Sequence, residues 1–569
     1  MKINMKNNMK LGLLTICMLF SWSCTDLVEE VLDESLSGGI LASEIIRGSV
    51  APAYGLLPEL YKHTELFAIQ EISSDEAILP FRGGRDWGDN GIYIELHQHT
   101  YTGNHSNLQQ VWDDLTVMIS RTVNAIRVLT PLAAEGDAEA KVFLAEVRGL
   151  RAFYNMLVLD LWGITFQKED VNELSIILRG NDAVDYIRSE YEAVIGDLRT
   201  DVGPGRLTKA GVWGLLARLH LNAAVWRDPY STSFDFTDAD MDKVIEYSDM
   251  VINSGQYALS EEYFEIFDND NHSNAELIFA ADQRPDLNGH NRMSYFSMSG
   301  SFYGNPLFPR ANGTDGAAIT SDFYQSWVQA YGAVDPAEAD ARFFHEALII
   351  PADSTIAAED FEVNRGIYRG LQYGLQNAGR RLPFFTGPDG EFIISKLKDQ
   401  RRAEENAFVD YKEEVNFTAE GSDYDKGYRV EKYQWSKESD SGRNKGEADL
   451  VIVRYGDIYM MRAEAYLRKG DAPGALADVN TVRASRTARP DVTPPALTEM
   501  NLDLLLRERG FEFYWEHQRR TDMIRFGAYE GTWTEKTDTD VKKRLFPIPQ
   551  SAIDGASANQ GYLVQNDGY

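Results

Sequence analysis

The chain has 569 residues, with 56 Lys and Arg against 88 Asp and Glu, and a formal net charge of −32. A nucleic-acid binder needs excess basic side chains to displace counterions from phosphates, so this charge excludes a general nucleic-acid-binding role and disfavours docking on anionic lipid. Hydrophobic residues make up 43% of the chain, which is enough for a large packed core and excludes global disorder.

The first 23 residues have the pattern of the leader of an exported protein. Basic residues precede an apolar run at 11–20, which has about half the ~20 residues needed to span a bilayer. Ser21-Trp22-Ser23 then leads to Cys24, and small residues before a cysteine resemble a bacterial lipobox. We therefore expect a signal peptide at residues 1–23 and lipidation of Cys24, which anchors the chain to a membrane without spanning it. An ordinary secretory signal is the alternative.

Four stretches carry the 3-4 spacing of apolar residues that predicts amphipathic helices. They run from Val111 to Leu129, from Val147 to Leu161, from Val212 to Trp226 and from Ile458 to Val482. In the last stretch, small residues at Ala463, Ala465 and Ala475 flank Gly470-Asp471, which resembles one tetratricopeptide unit. The sequence therefore predicts a mainly α fold, with a tetratricopeptide-like helical repeat scaffold of three or four helix pairs.

The composition changes between about 260 and 445, where Gly, Asn, Asp, Pro and aromatic residues dominate. Short strand-like runs occur there, for example at 276–279 and 392–394, and residues 71–105 have a similar composition. Such composition predicts an irregular, loop-rich lobe containing short strands.

No low-complexity linker divides the chain. We therefore expect one domain over residues 24–569, with a helical scaffold at about 40–260 and 446–530 and the loop-rich lobe between them.

Several short segments also occur together in the order typical of one family. They are Ser74-Asp75-Glu76, Arg82-Gly83-Gly84, Leu96–Thr100, Ala145–Tyr154, Arg206–Ala210, Val251–Gly255, Arg454–Tyr466, Arg507–Gly527 and Phe546–Gln550. The chain thus resembles the SusD/RagB family, which comprises starch-binding-protein-like lipoproteins of the Bacteroidetes outer membrane. The resemblance is collinear from the lipobox to the C-terminus.

The resemblance implies a non-catalytic glycan-binding protein on the cell surface, lipid-anchored in the outer membrane. Such a protein sits as a lid on a SusC-like TonB-dependent transporter and passes captured oligo- or polysaccharide to it. No cofactor is implied; a structural calcium ion in the loop-rich lobe stays open as an alternative.

The loop at 81–90 supplies the side chains that sugar binding needs, namely a flat aromatic face and planar polar groups for the hydroxyls. Members of the family often bind with a Trp in this loop, which assigns stacking to Trp87. The polar candidates for hydroxyl contacts are Arg82, Arg85, Asp86, Asp89 and Asn90. The alternative is that Trp87 packs the loop onto the scaffold.

A second aromatic cluster lies in a Ser/Gly/Asn-rich stretch. Tyr295, Phe302 and Tyr303 are candidates for further stacking, since the family often places aromatics there, and buried packing is the alternative. Trp327 and Trp435 are expected to pack in the core.

Two sets of residues are candidates for catalysis or metal binding. His97-Gln98-His99 would place two imidazoles on one strand face, but no further ligand follows at metal-site spacing, so we expect ordinary structure. Glu508, Glu512 and Glu516 recur every four residues on a predicted helix, where neighbouring arginines favour ion pairs over glycoside hydrolysis. The chain is therefore predicted not to be an enzyme and not to hold a metal.

Two other functions stay open at this stage. A surface polysaccharide hydrolase or lyase would share the export signal and the aromatic loops. A helical-repeat scaffold that binds only proteins would share the repeats.

Overall fold

Helices supply most of the regular structure in this computed structural model, which describes residues 42–83, 90–170, 172–284, 291–302, 313–351, 353–378, 383–402, 406–436 and 446–569. Ser49–Tyr569 forms one compact unit. Met1–Gly48 forms another, of which only the start of the first helix is described.

The α-helices lie mainly in two stretches of the chain, before residue 254 and after residue 454. They are α1 (Ala42–Tyr54), α2 (Leu57–Leu60), α3 (Ile92–Gln98), α4 (Ser106–Ala134), α5 (Ala138–Trp162), α6 (Gly180–Val194), α7 (Lys209–Arg227), α8 (Asp238–Asn253), α9 (Met293–Phe296), α10 (Ser321–Tyr331), α11 (Pro336–Ala339), α12 (Tyr455–Arg468), α13 (Ala472–Ala484), α14 (Leu502–Phe513), α15 (Arg519–Arg525) and α16 (Gln550–Gly555).

The strands are short and lie mostly between α8 and α12. They are β1 (Ala77–Ile78), β2 (Thr165–Gln167), β3 (Ile176–Leu178), β4 (Leu277–Ala281), β5 (Ala318–Ile319), β6 (Phe344–His345), β7 (Thr355–Ile356), β8 (Arg365–Tyr368), β9 (Gly370–Leu371), β10 (Tyr373–Leu375), β11 (Phe392–Lys396), β12 (Asp410–Tyr411), β13 (Arg429–Glu431) and β14 (Leu450–Arg454).

Neighbouring helices pack against each other along the scaffold. The packed pairs are α4 with α5, α5 with α6, α6 with α7, α7 with α8, α8 with α12, and α12 with α13. Ala463 and Ala475 are fully buried where α12 meets α13, and Gly470 has φ +83° between them, so small residues permit the close helix approach expected of a tetratricopeptide unit. Every helical stretch predicted from the apolar spacing is a helix.

Capping residues fix the ends of the scaffold helices. The Asp137 side chain accepts a hydrogen bond from the Ala140 N–H at the start of α5, and Gly163 ends that helix at φ +69°. Thr208 caps α7 and Asp471 caps α13 in the same way. These polar residues stand directly before apolar periodic stretches, so each helix start is specified by local sequence.

The loop-rich lobe enters and leaves the scaffold through one antiparallel ladder. β4 pairs with β14, and Ala281 lies opposite Leu450. Beyond this ladder the strands form small antiparallel sheets in the orders β10-β11-β7 and β13-β8-β6, and the pairs β12-β9, β1-β5 and β2-β3. The predicted fold class, a helical scaffold with an irregular lobe of short strands, is confirmed.

Two local predictions were wrong. His97 lies in helix α3, and His99 follows it at φ +59°, so the two imidazoles do not share a strand face. Glu516 lies beyond α14, which ends at Phe513, because Trp515 and His517 adopt positive φ and turn the chain. Among the described residues, no helix is both long and apolar enough to cross a membrane.

Candidate functional site

Arg82, at the start of the predicted binding loop, is buried and bonded to backbone. Its Nη2 donates to the Gly316 carbonyl at 3.0 Å, and its Nη1 donates to the carbonyls of Lys426 at 2.7 Å and Asp423 at 3.4 Å. The side chain is only 2% exposed. The guanidinium therefore joins three segments that are distant in sequence.

A second buried arginine holds the same turn. Arg429 donates from Nη1 to the Lys426 carbonyl at 2.7 Å and from Nη2 to the Tyr424 carbonyl at 3.0 Å. Burial lowers the pKa of both Arg82 and Arg429, and the charge of Arg429 lowers the pKa of Arg82 further. Backbone carbonyls accept the hydrogen bonds of these charged donors, so the turn at 422–427 is fixed from two sides.

Gly83 brings the start of the loop against this turn. Its N–H donates to the Ser422 carbonyl at 3.2 Å. Its φ is +58°, and a Cβ at this position would lie 2.3 Å from Cε2 of the Tyr424 ring. Only glycine fits both the backbone conformation and the contact, which explains the glycine directly after Arg82.

A third segment reaches the same place through Arg401. Arg401 Nη2 lies 2.8 Å from Asp315 Oδ2, and the Arg401 guanidinium lies 5.3 Å from the centroid of the Tyr424 ring. Asp315 is 1% exposed and also accepts the Gly300 N–H at 3.0 Å. We call the meeting point of Arg82, Gly316, Arg401 and Tyr424 the loop junction.

The loop junction exposes side chains suited to sugar binding. Tyr424 is partly exposed, and the side chains of Arg401, Arg402 and Asp425 are 26%, 22% and 20% exposed. Arg402 Nη1 lies 3.1 Å from Asp425 Oδ2. An aromatic face beside planar donors and a carboxylate can stack on a pyranose and bond its hydroxyls.

Five of the predicted binding residues lie outside the described part of the chain. Outside the described residues are Arg85, Asp86, Trp87, Asp89 and Tyr303, and so is the predicted lipidation site Cys24. Asn90, at the far end of the first loop, is exposed with φ +52°. Their roles in binding stay predictions, as does a sugar contact by Arg82.

Tyr295 and Phe302 are packed inside the lobe. Tyr295 is fully buried, its ring centroid lies 4.9 Å from that of Trp435, and its hydroxyl accepts the Ser436 N–H at 3.2 Å. Phe302 is 8% exposed, and its ring centroid lies 6.1 Å from that of Tyr368. Protein covers both rings here, and their stacking on a ligand stays a prediction.

The two tryptophans predicted to pack in the core do so. Trp327 is fully buried and stacks on Phe511 at 3.7 Å. Trp435 is 3% exposed and lies shortly after strand β13.

Sequence reasoning missed Tyr424, Arg401 and Arg402. The available signal was a tyrosine between two acids and an adjacent arginine pair, both within the loop-rich stretch. That signal could not place them together, because contacts to Gly83 and Asp315 create the grouping and neither contact follows from local spacing.

The three regularly spaced glutamates form buried ion pairs. Glu508 Oε2 lies 2.5 Å from Arg483 Nη1, and Glu512 Oε1 lies 2.6 Å from Arg486 Nη2. All three glutamates are at most 2% exposed. Burial raises the pKa of Glu512, but Arg486, Arg454 and Arg342 outweigh it and hold that pKa well below its usual range. Buried carboxylates paired with arginine offer no free nucleophile, as the ion-pair interpretation predicted.

This network also joins the lobe to the scaffold. Arg454, at the end of β14, pairs with Glu276 before β4 at 2.6 Å and with Glu516 at 2.8 Å. Lys432 pairs with Glu516 at 2.7 Å, and burial lowers the pKa of Lys432 to about 8. Burying this many charges is tolerable only because each has opposite partners.

One group among the described residues has the geometry to hold a cation. Ligand atoms of His272, Asp282 and Asp449 lie within 4.8 Å of one another. His272 Nδ1 is 2.7 Å from Asp449, a hydrogen bond that raises the pKa of His272, and Asp282 is already paired with Arg284 at 2.7 Å. The ion pairs explain this arrangement without a metal, and the calcium alternative stays a prediction.

The two histidines of the His97-Gln98-His99 stretch have structural partners. His97 Nδ1 lies 3.1 Å from the carbonyls of Ile72 and Ala77, and His99 Nε2 lies 2.8 Å from the Ser73 carbonyl. Burial lowers the pKa of both imidazoles. The two neutral imidazoles hydrogen-bond to backbone carbonyls and stabilise the packing of this region.

Known proteins resemble this chain over most of its length. The starch-binding protein SusD of Bacteroides thetaiotaomicron is 27% identical over 460 residues, which cover 76% of this chain and 74% of that protein. Surface glycan-binding protein A of the same organism, solved in complex with laminarihexaose, has a TM-score of 0.64 at 20% identity and covers 92% of this chain and 99% of its own. A SusD superfamily protein from Parabacteroides distasonis has a TM-score of 0.66 at 16% identity. The match covers 93% of this chain and 100% of that one.

The profile of the SusD family matches residues 275–569, which is more than half of the chain. The match begins beside β4 and takes in the lobe, the β14 ladder and the C-terminal helices. The similar structures share the helical scaffold as well, and the resemblance inferred from short segments is confirmed. The chain belongs to the SusD family.

Proposed function

We propose that this chain is a cell-surface lipoprotein that captures oligo- or polysaccharide and passes it to a SusC-like TonB-dependent transporter. Members of the SusD family are glycan-binding proteins without catalytic activity, and this chain is not an enzyme. The observation that carries the proposal is the loop junction. There, three chain segments that are distant in sequence meet beside a partly exposed tyrosine and two arginines.

The binding step can be tested on the soluble protein from Thr25 onward. Affinity gels containing a panel of neutral and acidic polysaccharides, including laminarin and alginate, should retard the wild-type protein in at least one gel. Trp87→Ala should lose that retardation while keeping the wild-type melting temperature, because a stacked ring supplies much of the contact area. A protein retarded by none of the panel contradicts the capture role.

The anchor can be tested separately on the full-length chain. Cys24→Ser should move the protein from the outer-membrane fraction to the soluble fraction, because the acyl chains supply the membrane affinity. Retention of Cys24→Ser in the membrane fraction contradicts lipidation at this cysteine.

The transporter partner can be tested by cross-linking on intact cells. A tagged wild-type chain should co-purify with a TonB-dependent barrel protein. Recovery of the chain without any barrel protein contradicts delivery to a transporter, while leaving glycan capture standing.

A further inference from the structure

Two exposed aromatic rings share one face of the small sheet that leads to the loop junction. Tyr373 and Phe408 are each 37% exposed. Tyr373 of β10 lies opposite Lys396 of β11 in antiparallel register, so their side chains share a face. Lys396 Nζ lies 5.9 Å from the Phe408 ring centroid, and Phe408 lies opposite Lys398 in an isolated bridge. We call Tyr373, Lys396, Lys398 and Phe408 the aromatic strip.

The strip is locally basic in a strongly acidic chain. Within the described ranges, Lys396 and Lys398 are exposed and form no ion pair, and the neighbouring Asp410 is paired with Lys412. The strip thus carries two exposed ammonium groups in a chain whose net charge is −32. Ammonium groups beside aromatic faces suit a partner rich in oxygen acceptors.

The strip is also continuous with the loop junction. The chain runs from Lys398 through Asp399, which is 3% exposed, to Arg401 of the junction. At about 3.4 Å per extended residue, Lys398 and Arg401 are within about 10 Å of each other. The Gln400 N–H donates to Ser301 Oγ at 2.9 Å, which ties this connection to the lobe.

We propose that the aromatic strip is a second subsite, where the continuation of a glycan chain held at the loop junction stacks on Tyr373 and Phe408. The two lysines donate hydrogen bonds to hydroxyl or carboxylate oxygens of the sugars. This proposal rests on the proposed function and names where a longer ligand goes. The exposed rings, the unpaired ammonium groups and the continuity with the junction together favour a sugar chain as the occupant.

A second subsite predicts a dependence on chain length. A polysaccharide that reaches both places gains affinity from the second contact at high effective concentration, whereas a short oligosaccharide fills the junction alone. Damage to the strip should therefore weaken binding of the polymer and spare binding of a trisaccharide of the same sugar.

The experiment compares two double variants with a matched control. The variants are Tyr373→Ala/Phe408→Ala and Lys396→Ala/Lys398→Ala, and the control is Phe385→Ala, an aromatic that is 48% exposed at the other end of the same sheet. Each variant is titrated by calorimetry at low and at high salt. The ligands are a polysaccharide that retards the wild-type protein in the affinity gels and the trisaccharide of the same sugar. We expect about tenfold weaker polymer binding by both double variants, with trisaccharide binding and the control unchanged. A lysine effect that disappears at high salt identifies an acidic sugar, and one that persists identifies a neutral sugar.

Polymer affinity equal to wild type in both double variants would overturn the subsite. That outcome differs from failure of the proposed function, in which the wild-type protein binds no glycan of the panel. Circular dichroism and the melting temperature of each variant establish that its fold is intact before titration.

Discussion

At the scale of single residues, the binding region is organised by buried donors that face backbone carbonyls. Arg82 and Arg429 both donate to the Lys426 carbonyl, and Arg82 extends the connection to Gly316. Such charge-assisted bonds are roughly twice as strong as neutral ones and are expensive to lose when buried. Arg82 therefore serves first to anchor the start of the predicted binding loop.

Arg82→Ala tests this anchoring role. The carbonyls of Gly316 and Lys426 would lose a charged donor inside the protein, and we expect the free energy of unfolding to fall by roughly 2–4 kcal/mol. Chemical denaturation measures the change. Arg188→Ala, which removes an exposed ion pair with Asp185, is the matched control and should change stability by less than about 1 kcal/mol. An Arg82→Ala protein as stable as wild type that binds no glycan would instead assign Arg82 to direct sugar contact.

Gly83→Ala tests the close contact with Tyr424. The new Cβ would overlap the ring at positive φ, and we expect a loss of roughly 2–3 kcal/mol in unfolding free energy. Gly136→Ala is the control, since Gly136 also has positive φ but open space around it, and should lose about 1 kcal/mol. In a Tyr424→Ala background the Gly83 substitution should cost less. If Gly83→Ala and Gly136→Ala lose the same unfolding free energy, the contact with the Tyr424 ring is unimportant for stability.

At the scale of elements, two devices join the lobe to the helices. One is the β4–β14 ladder, and the other is the ion-pair network around the end of α14. Glu512 accepts from Arg454 and Arg486 through Oε1 and from Arg342 of the lobe through Oε2. Removing one member leaves several charges buried without a partner.

Glu512→Gln should lower the free energy of unfolding by roughly 3–5 kcal/mol at pH 7. The folded-state pKa of Glu512 lies below its unfolded value near 4.3, so its contribution is complete above about pH 5 and is lost as the pH falls. The stability difference between wild type and variant should therefore narrow below pH 5 in denaturation curves. Glu420→Gln, at an exposed position, should match wild type throughout. A difference that stays constant down to pH 3 contradicts the depressed pKa.

Glu71 should have the opposite pH dependence. It is fully buried in a π-helical segment at Ala68–Ile72, accepts the Gln518 N–H at 2.8 Å, and burial raises its pKa to about 7. The folded state then binds more protons than the unfolded state from about pH 4.3 to 7, so stability falls as the pH rises through this window. Glu71→Gln keeps the acceptor oxygen and removes the charge.

We expect the stability of Glu71→Gln relative to wild type to rise by about 2–3 kcal/mol between pH 5 and pH 8. Urea denaturation of both proteins at the two pH values measures this change. A relative stability that stays constant or falls between the two pH values would contradict the raised pKa of Glu71.

The sequence predicts some elements well and others poorly, for physical reasons. Apolar spacing and capping residues such as Asp137 and Thr208 are local signals, so α4, α5, α7, α12 and α13 follow from them. His97 was misplaced because the loop-like composition of residues 71–105 hid a short helix. Glu516 was misplaced because the positive φ at Trp515 has no signal in a non-glycine residue.

At the scale of the whole molecule, a helical-repeat scaffold carries a lobe that has no regular architecture of its own. The scaffold continues across the lobe because α8 packs on α12, although about 200 residues separate them in sequence. The lobe can therefore vary in its loops while its entry ladder stays fixed. Family membership and scaffold followed from the sequence, whereas the loop junction required contacts such as Arg82 with Gly316, which join residues far apart in the chain.

The central claim is that this SusD-family chain binds glycan and does not cleave it. The most direct measurement is calorimetry of the soluble chain with a polysaccharide that retards it in the affinity gels. The same sample is then incubated further and assayed for new reducing ends. We predict saturable binding with no new reducing ends, because the candidate catalytic glutamates are buried and paired with arginines. New reducing ends that accumulate with the wild-type protein would contradict the claim and make the chain an enzyme.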